Sequence, residues 1–283
     1  MKTVDLHVHS TCSDGTLTPT GLVKEAVKAG LSAFALTDHD CVSGLDEAMS
    51  AGARYGIEVI PGIEISANYK DKEIHIVGLF INHHDEDFIK AIGNETERRE
   101  KRNIQLVELF NEYGFPVTIE EMKAIFPGSV LTRAHFASFL TKRGYVKNNK
   151  EAFEKYLGEG KPLYVSRERK TPKEAIDTIK KAGGAAILAH PLLYHLTIGE
   201  LKALCKDLKE YGLIGIETMY STYKGFDELT VRKLAHEFGL LESGGSDYHG
   251  ANKPHIQLGN GMGNLMISYD FLNALKQSVN YVP

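Results

Sequence analysis

A chain of 283 residues is long enough to bury a large core, and a single α/β barrel fits that length as well as two domains do. Its formal charge of −4 is dispersed, so composition points to neither nucleic acid nor a membrane surface, and no apolar run approaches the roughly 20 residues that span a bilayer. The N-terminus enters a strand without the pattern of a signal peptide, and Cys12, Cys41 and Cys205 are odd in number and far apart, which suits buried free thiols in a reducing cytoplasm.

The first strand is predicted at residues 4–8, followed by a helix with Thr18 as N-cap, Pro19 at its first position and Gly30 as its stop. A second strand is expected at 32–37, and a helix capped by Ser43 should run to Tyr55 and end at Gly56. Strand three is read at 58–60, turning at Pro61-Gly62 with Glu64 just beyond, and strand four at 73–80 with His75 in an apolar context. From 87 to 156 no strand pattern is convincing and helical periodicity takes over. A long amphipathic helix at 95–113 carries Ile104, Val107, Leu109 and Phe110 as its apolar stripe, and shorter helices are expected at 119–126, 133–143 and 150–157. Alternation resumes at Thr171-Pro172, with strands at 185–189, 213–218 and 240–243. Four strands before the helical segment and three after it, each linked by a helix, imply a parallel sheet closed into a barrel. The expected division is a barrel from residues 1–85 and 165–283, with a helical insertion at 86–164.

Polar clusters punctuate this pattern. His7 and His9 are two apart on a strand and so face the same way. Asp14 follows in an acidic turn, and His39, Glu64, His190, Asp247 and His249 likewise fall at or just after predicted C-terminal strand ends, where α/β barrels carry their active sites. A lone histidine is ordinarily structural, and His83, His84, His236 and His255 receive that reading because no acidic partner accompanies them. With His75 the remaining set has nine members, too many for one ion, and two or three bridged ions are the economical count. Imidazoles and carboxylates without a CxxC pair exclude a structural zinc finger and suit Mn²⁺, Fe or Zn²⁺. Such centres generate hydroxide near neutral pH and neutralise substrate oxygens, so hydrolysis of a phosphate ester is the expected reaction.

The segments Asp5-Leu6-His7-Val8-His9-Ser10, Ser13-Asp14-Gly15, Thr37-Asp38-His39-Asp40, Gly62-Ile63-Glu64-Ile65-Ser66, Ala189-His190-Pro191 and Ser246-Asp247-Tyr248-His249-Gly250 resemble the motifs of the polymerase and histidinol phosphatase (PHP) superfamily in order and spacing. The likeness is greatest to stand-alone phosphoesterases acting on nucleotides, including nucleoside 3',5'-bisphosphate phosphatases, and some of that group trim RNA from its 5' end. The resemblance implies a distorted (β/α)7 barrel and a trinuclear site. One metal would be held by His7, His9, Glu64 and Asp247, a second by Asp14, His39 and His249, and a third by His75 and His190 with Glu64 bridging; a hydroxide between metals would attack phosphorus. Asp14 stands where many relatives carry histidine, and this harder ligand favours Mn²⁺ or Fe over Zn²⁺.

Leu131-Thr132-Arg133-Ala134-His135-Phe136 resembles a phosphate-binding segment of the nucleotide phosphatases, with Ala134 where proline is common. Thr132 can cap a helix there, placing Arg133 and His135 at an N-terminus that favours an anion. Arg99 and Arg102, in the densest basic run, become expected nucleotide contacts through the same resemblance. The expected activity is release of the 3'-phosphate from a nucleoside 3',5'-bisphosphate, with short RNA 5' ends as a further substrate and neither a membrane nor an obligate protein partner. Histidinol-phosphate phosphatase and a metal-dependent amidohydrolase are the alternatives. Asp40, His195 and His249 remain open as the general acid.

Overall fold

Strands β1 (Thr3–Val8), β2 (Ala33–Leu36), β3 (Glu58–Tyr69), β4 (Lys72–Leu79), β5 (Ala185–Leu188), β6 (Gly215–Tyr220), β7 (Leu241–Gly245) and β8 (Ile267–Ser268) form one sheet in the computed structural model, which describes residues 2–281. Their order is β7-β6-β5-β4-β3-β2-β1-β8. The sheet curls until its ends nearly meet: after β7, the Asp247 amide donates to the His7 carbonyl at 2.9 Å and the His9 amide to the Tyr248 carbonyl at 3.0 Å. Gly245 makes this approach possible, because a Cβ there would lie 2.2 Å from that of His7.

Helices α1 (Pro19–Lys28) and α2 (Leu45–Tyr55) follow β1 and β2. Thr18 caps α1 through the Gly21 amide as expected, but α2 begins at Gly44 with no side-chain cap, so Ser43 does not serve. Helices α7 (Pro172–Lys181), α8 (Ile198–Tyr211) and α9 (Asp227–Phe238) accompany β5, β6 and β7, and Thr171 and Thr197 start α7 and α8 with capping boxes. An outer core that includes Phe34, Ile63, Ile65, Ile176 and Leu204 joins sheet to helices. An inner core of Val4, Leu6, Ala33, Ile60, Leu79 and Ile187 fills the barrel, and Leu272 and Leu275 of α10 (Tyr269–Ser278) pack into it.

The structure corrects the sequence reading between the third and fourth strands. β3 does not stop at residue 60; it continues through Pro61 and Gly62 to Tyr69 and turns back over Lys70-Asp71 into β4. Both turn residues have positive φ, as a tight two-residue hairpin requires. β4 therefore pairs antiparallel with both β3 and β5, and no helix links strands three and four. This reversal matters for chemistry, because it puts His75, near the start of β4, opposite Ser66 on β3, beyond Glu64.

After β4 come α3 (Glu86–Glu112), α4 (Ile119–Ile125), α5 (Arg133–Lys142), the short α6 (Asn149–Ala152) and a π-helical turn at Phe153–Leu157. α3 starts earlier than its apolar stripe suggests, capped by Asp85 through the Phe88 amide. These helices share a core of their own, with Leu106, Phe110, Phe136, Phe139, Leu140 and Leu157 buried together. Among the described residues no helix is long and apolar enough to cross a membrane.

Candidate metal centre

Strand geometry delivers the nine candidate donors to one end of the barrel. The pairing of β1 with β2 shifts register between Asp5 and Val8. Leu6 belongs to the inner core and Val8 to the outer one, and this irregularity turns the adjacent His7 and His9 toward the barrel mouth. Asp14 sits in a turn folded beneath the His9 carbonyl, and a Cβ on Gly15 would come within 2.2 Å of that oxygen. His190 and Asp247, just past β5 and β7, both hold positive φ, a conformation that non-glycine residues adopt where the surroundings impose it.

Glu64 lies at the centre. Its Oε2 stands 3.4 Å from both His7 Nε2 and His9 Nε2 and 2.8 Å from His39 Nδ1, while Oε1 lies 2.7 Å from His75 Nδ1 and 3.1 Å from His190 Nε2. Asp247 Oδ1 is 3.3 Å from His9 Nε2 and 3.9 Å from His7 Nε2. Asp14 Oδ1 is 3.1 Å from His249 Nε2 and 3.7 Å from His39 Nε2. Burial opposes charge on Glu64, yet the surrounding His75, His39 and His7 rings hold its carboxyl well below the usual range. Burial likewise opposes charge on His75, but Glu64 and Glu73 outweigh it and raise the ring to about 10.

The donor set fits divalent ions. Donors about 2.1 Å from a tetrahedral ion stand about 3.4 Å apart, and the separations here run from 2.7 to 3.9 Å around that value. His7 Nε2, His9 Nε2, Asp14 Oδ1, His39 Nδ1 and Glu64 Oε2 are buried without any hydrogen-bond partner. Leaving so many polar atoms unsatisfied is costly unless something else binds them.

Supporting groups that sequence reasoning missed hold the donors in place. Glu217 Oε1 lies 2.8 Å from His7 Nδ1, and its Oε2 accepts the His190 amide at 2.6 Å. Tyr220 Oη and Lys253 Nζ both donate to Asp247 Oδ2 at 2.6 Å, leaving Oδ1 toward the histidines. Asp38 accepts from the Ser10 and Ser13 hydroxyls, and Asp5 accepts the Ser246 and Gly259 amides. A carboxylate within an apolar strand, as in Ile214-Gly215-Ile216-Glu217, was the available signal. Glu217→Gln should lower metal affinity about 10–100-fold with the fold intact, read by metal content at controlled free metal. Unchanged metal content would remove Glu217 from this role.

A basic pocket adjoins the cluster. Asp14, His39 and His75 line one wall of a cavity whose other walls carry Arg99, Arg102, Arg133, Arg167 and Arg169. Four of these arginines are spent on two carboxylates. Arg99 Nη2 reaches Asp40 Oδ2 at 2.6 Å and Arg167 Nη2 reaches the same oxygen at 2.9 Å. Arg133 and Arg169 donate to Glu73 Oε2 at 2.9 and 2.8 Å. Arg102 differs: its Nε donates to Asn103 Oδ1 at 2.8 Å, and Nη2 is buried with no partner. Burial, with Arg99, Arg133 and Arg167 nearby, pushes this guanidinium well below its usual value. Arg167 and Arg169 escaped the sequence reading, although their spacing of two in an extended segment puts both on one face.

Other residues take different places from those expected. The structure commits the His135 ring to the helix it begins: Nδ1 accepts the Thr132 amide at 2.9 Å and the ring packs 4.5 Å from Phe126, outside the lining of the pocket. Burial pushes His135 down to about 4. Thr132 caps α5 and also donates to Asp14 Oδ2 at 2.9 Å, tying this helix start to the cluster. Among the acids left open, burial opposes charge on Asp40, but Arg99 and Arg167 win and hold it at about 2, ionised at neutral pH. His195 is exposed in a left-handed turn, and His249 belongs to the cluster. His83 and His84 do have an acidic partner, Asp46, contrary to the sequence reading.

A family model described as PHP domain matches residues 5–161. The chain is 40% identical to a 5'-3' exoribonuclease of Haemophilus influenzae, over 88% of this chain and 90% of that protein. It is 35% identical to a 3',5'-nucleoside bisphosphate phosphatase of Chromobacterium violaceum, covering 88% of each. A crystal structure assigned as a metal-dependent phosphoesterase from Bifidobacterium adolescentis superposes with a TM-score of 0.87 at 28% identity, covering 98% of this chain and 96% of that one.

Proposed function

The chain belongs to the PHP domain family and is a metal-dependent phosphoesterase; from that premise we propose that its substrate is a nucleoside 3',5'-bisphosphate, which loses its 3'-phosphate. The observation that carries this reading is the buried Arg102 guanidinium, free of any carboxylate, in the same cavity as Asp14, His39 and His75. A cation desolvated beside other arginines costs stability, and an anionic ligand repays it. One phosphate at the donor cluster and a second at the arginines is the arrangement this cavity suits.

We assign His7, His9, Glu64 and Asp247 to one ion, Asp14, His39 and His249 to a second, and His75 and His190, sharing Glu64, to a third, with Mn²⁺ or Fe favoured at the second by the Asp14 carboxylate. When bound, such ions supply Lewis-acid polarisation of phosphoryl oxygens and acidify water into a nucleophile at neutral pH. The protein's own part is positional. Glu64 offers one oxygen to each side of the cluster, Glu217 and Tyr220 fix ring and carboxylate orientations, and Arg102 holds the phosphate that is not cleaved. Residues 86–164 act as a cap that sets specificity over a barrel of 1–85 and 165–283. Their separate core and the Thr132–Asp14 hydrogen bond support that division. The three free thiols, two of them buried, support a cytoplasmic setting.

Arg102→Met tests the reading. Without substrate the variant should melt higher than the parent, because an unpaired buried cation has gone. Its kcat/KM for a nucleoside 3',5'-bisphosphate should fall at least about tenfold, the effect of one charge-assisted hydrogen bond. A monoester with a single phosphate, such as p-nitrophenyl phosphate, should be little affected. Equal kinetics on the bisphosphate would sink the assignment.

A second reading, 5'-3' exoribonuclease, is favoured by one further observation. Arg98, Lys101 and Gln105 line a surface groove that shares Arg102 and Arg167 with the pocket, a path for nucleotides beyond the first. Histidinol phosphate and cyclic amides would leave the arginine wall without a ligand.

A further inference from the structure

Apart from the barrel cluster, one other group of metal-type donors converges among the described residues: Asp46, His83 and His84. Asp46 stands in the first turn of α2, and the two histidines lie in the loop between β4 and α3. His83 Nε2 is 2.9 Å and His84 Nε2 3.2 Å from the same oxygen, Asp46 Oδ1. The two rings lie 4.1 Å apart, tilted by 38°, so neighbours in sequence turn their outer nitrogens toward one point. Asp46 and His84 are 71% and 67% exposed while His83 is only 10% exposed, so one ligand is fixed in the protein wall and two face water.

We propose that Asp46, His83 and His84 form a second metal site, separate from the catalytic cluster, which binds one Zn²⁺. Two imidazoles and a carboxylate are a complete three-ligand set for this ion, with the remaining position left to water. The nitrogen–oxygen separations, 2.9 and 3.2 Å, need open only slightly to reach the roughly 3.4 Å edge of a tetrahedral site. Mixed nitrogen and oxygen donors with exposed access suit a borderline transition ion better than Mg²⁺ or Ca²⁺, which take oxygen ligands.

Its position gives the site a mechanical role. His84 immediately precedes Asp85, the N-cap of α3, whose bond to the Phe88 amide and the burial of Phe88 fix the helix start. α3 carries Arg99 and Arg102 into the pocket. An ion shared between α2 and this loop fastens the root of the long helix to the barrel. It therefore adds stability without touching the reacting atoms.

The test is zinc content after equilibrium dialysis against buffered free Zn²⁺, for the parent protein, Asp46→Asn, His84→Ala and His83→Ala/His84→Ala. Binding at the barrel cluster is common to all four and cancels. The parent should hold about one more zinc per chain than each variant, and added zinc should raise its melting temperature more than theirs. Phosphate release supported by Mn²⁺ should be the same in all four, since none of these residues lies in the pocket. Asp46 and His84 are surface positions, so the single variants keep the protein folded even if the double one does not. Equal zinc content in the parent and the single variants would overturn the proposal, leaving the trio as a hydrogen-bonded cluster only.

Discussion

Glu64→Gln should strip the barrel of metal and lower phosphoesterase activity by about a thousandfold or more, the scale seen when a main electrostatic group is deleted from a catalytic site. No other side chain in the cluster meets five of its histidines, with Oε2 facing His7, His9 and His39 and Oε1 facing His75 and His190. Glutamine keeps the shape but loses the charge, and one of its two ends presents an NH₂ that cannot bind a cation. The His75 ring, held at about 10 by Glu64 and Glu73 against its burial, should lose most of that elevation. Metal analysis alongside initial rates checks the prediction. Full metal content with an unchanged rate would show that Glu64 is structural.

The second large effect concerns stability. Asp40→Asn removes the carboxylate that Arg99 and Arg167 share, leaving buried Arg99 without its counter-charge and Arg167 with only Glu95, 3.7 Å away. Breaking a buried pair in this way costs about 3–5 kcal/mol, read as a lower denaturant midpoint at constant slope. The pH dependence has a definite sign. The folded protein holds Asp40 at about 2 against an ordinary value of 3.8, so its stabilisation is complete above about pH 4 and is lost as pH falls toward 2. That interval corresponds to about 2 kcal/mol, and Asp40→Asn should lack this part of the acid slope. An identical acid profile in parent and variant would mean that the arginines do not control this carboxyl.

These two residues also show what the sequence made legible. Glu64 was visible because it follows a strand and belongs to a motif with characteristic flanks. Asp40 was visible only as a motif residue beside His39 and as one of three choices for the general acid. Its role depends on Arg99 from the helical segment and Arg167 from a stretch 127 residues further on, a contact that only the folded chain creates. The β3–β4 hairpin was hidden for a local reason. Its turn is Lys70-Asp71 rather than an Asn-Gly or Asp-Gly pair, and Pro61-Gly62, which reads as a turn, lies inside the strand. Pro61 cannot donate to the ladder, but its carbonyl accepts the Ile81 amide at 3.4 Å. His135 misled in the opposite sense. Placed at a helix start beside Arg133 it read as an anion contact, whereas its ring closes a capping box with Thr132. Metal-type donors are legible from sequence because strand ends are, while the groups that orient them, Glu217 above all, act across the barrel.

The most direct test of the whole account is phosphate release by Mn²⁺-loaded protein from a nucleoside 3',5'-bisphosphate compared with the corresponding 3'-monophosphate. A second phosphate held by Arg102 and its neighbours should raise kcat/KM for the bisphosphate about 100-fold, the worth of two charge-assisted contacts. Equal kcat/KM for the two nucleotides, or turnover confined to 5'-phosphorylated RNA with no phosphate released from the bisphosphate, would contradict it.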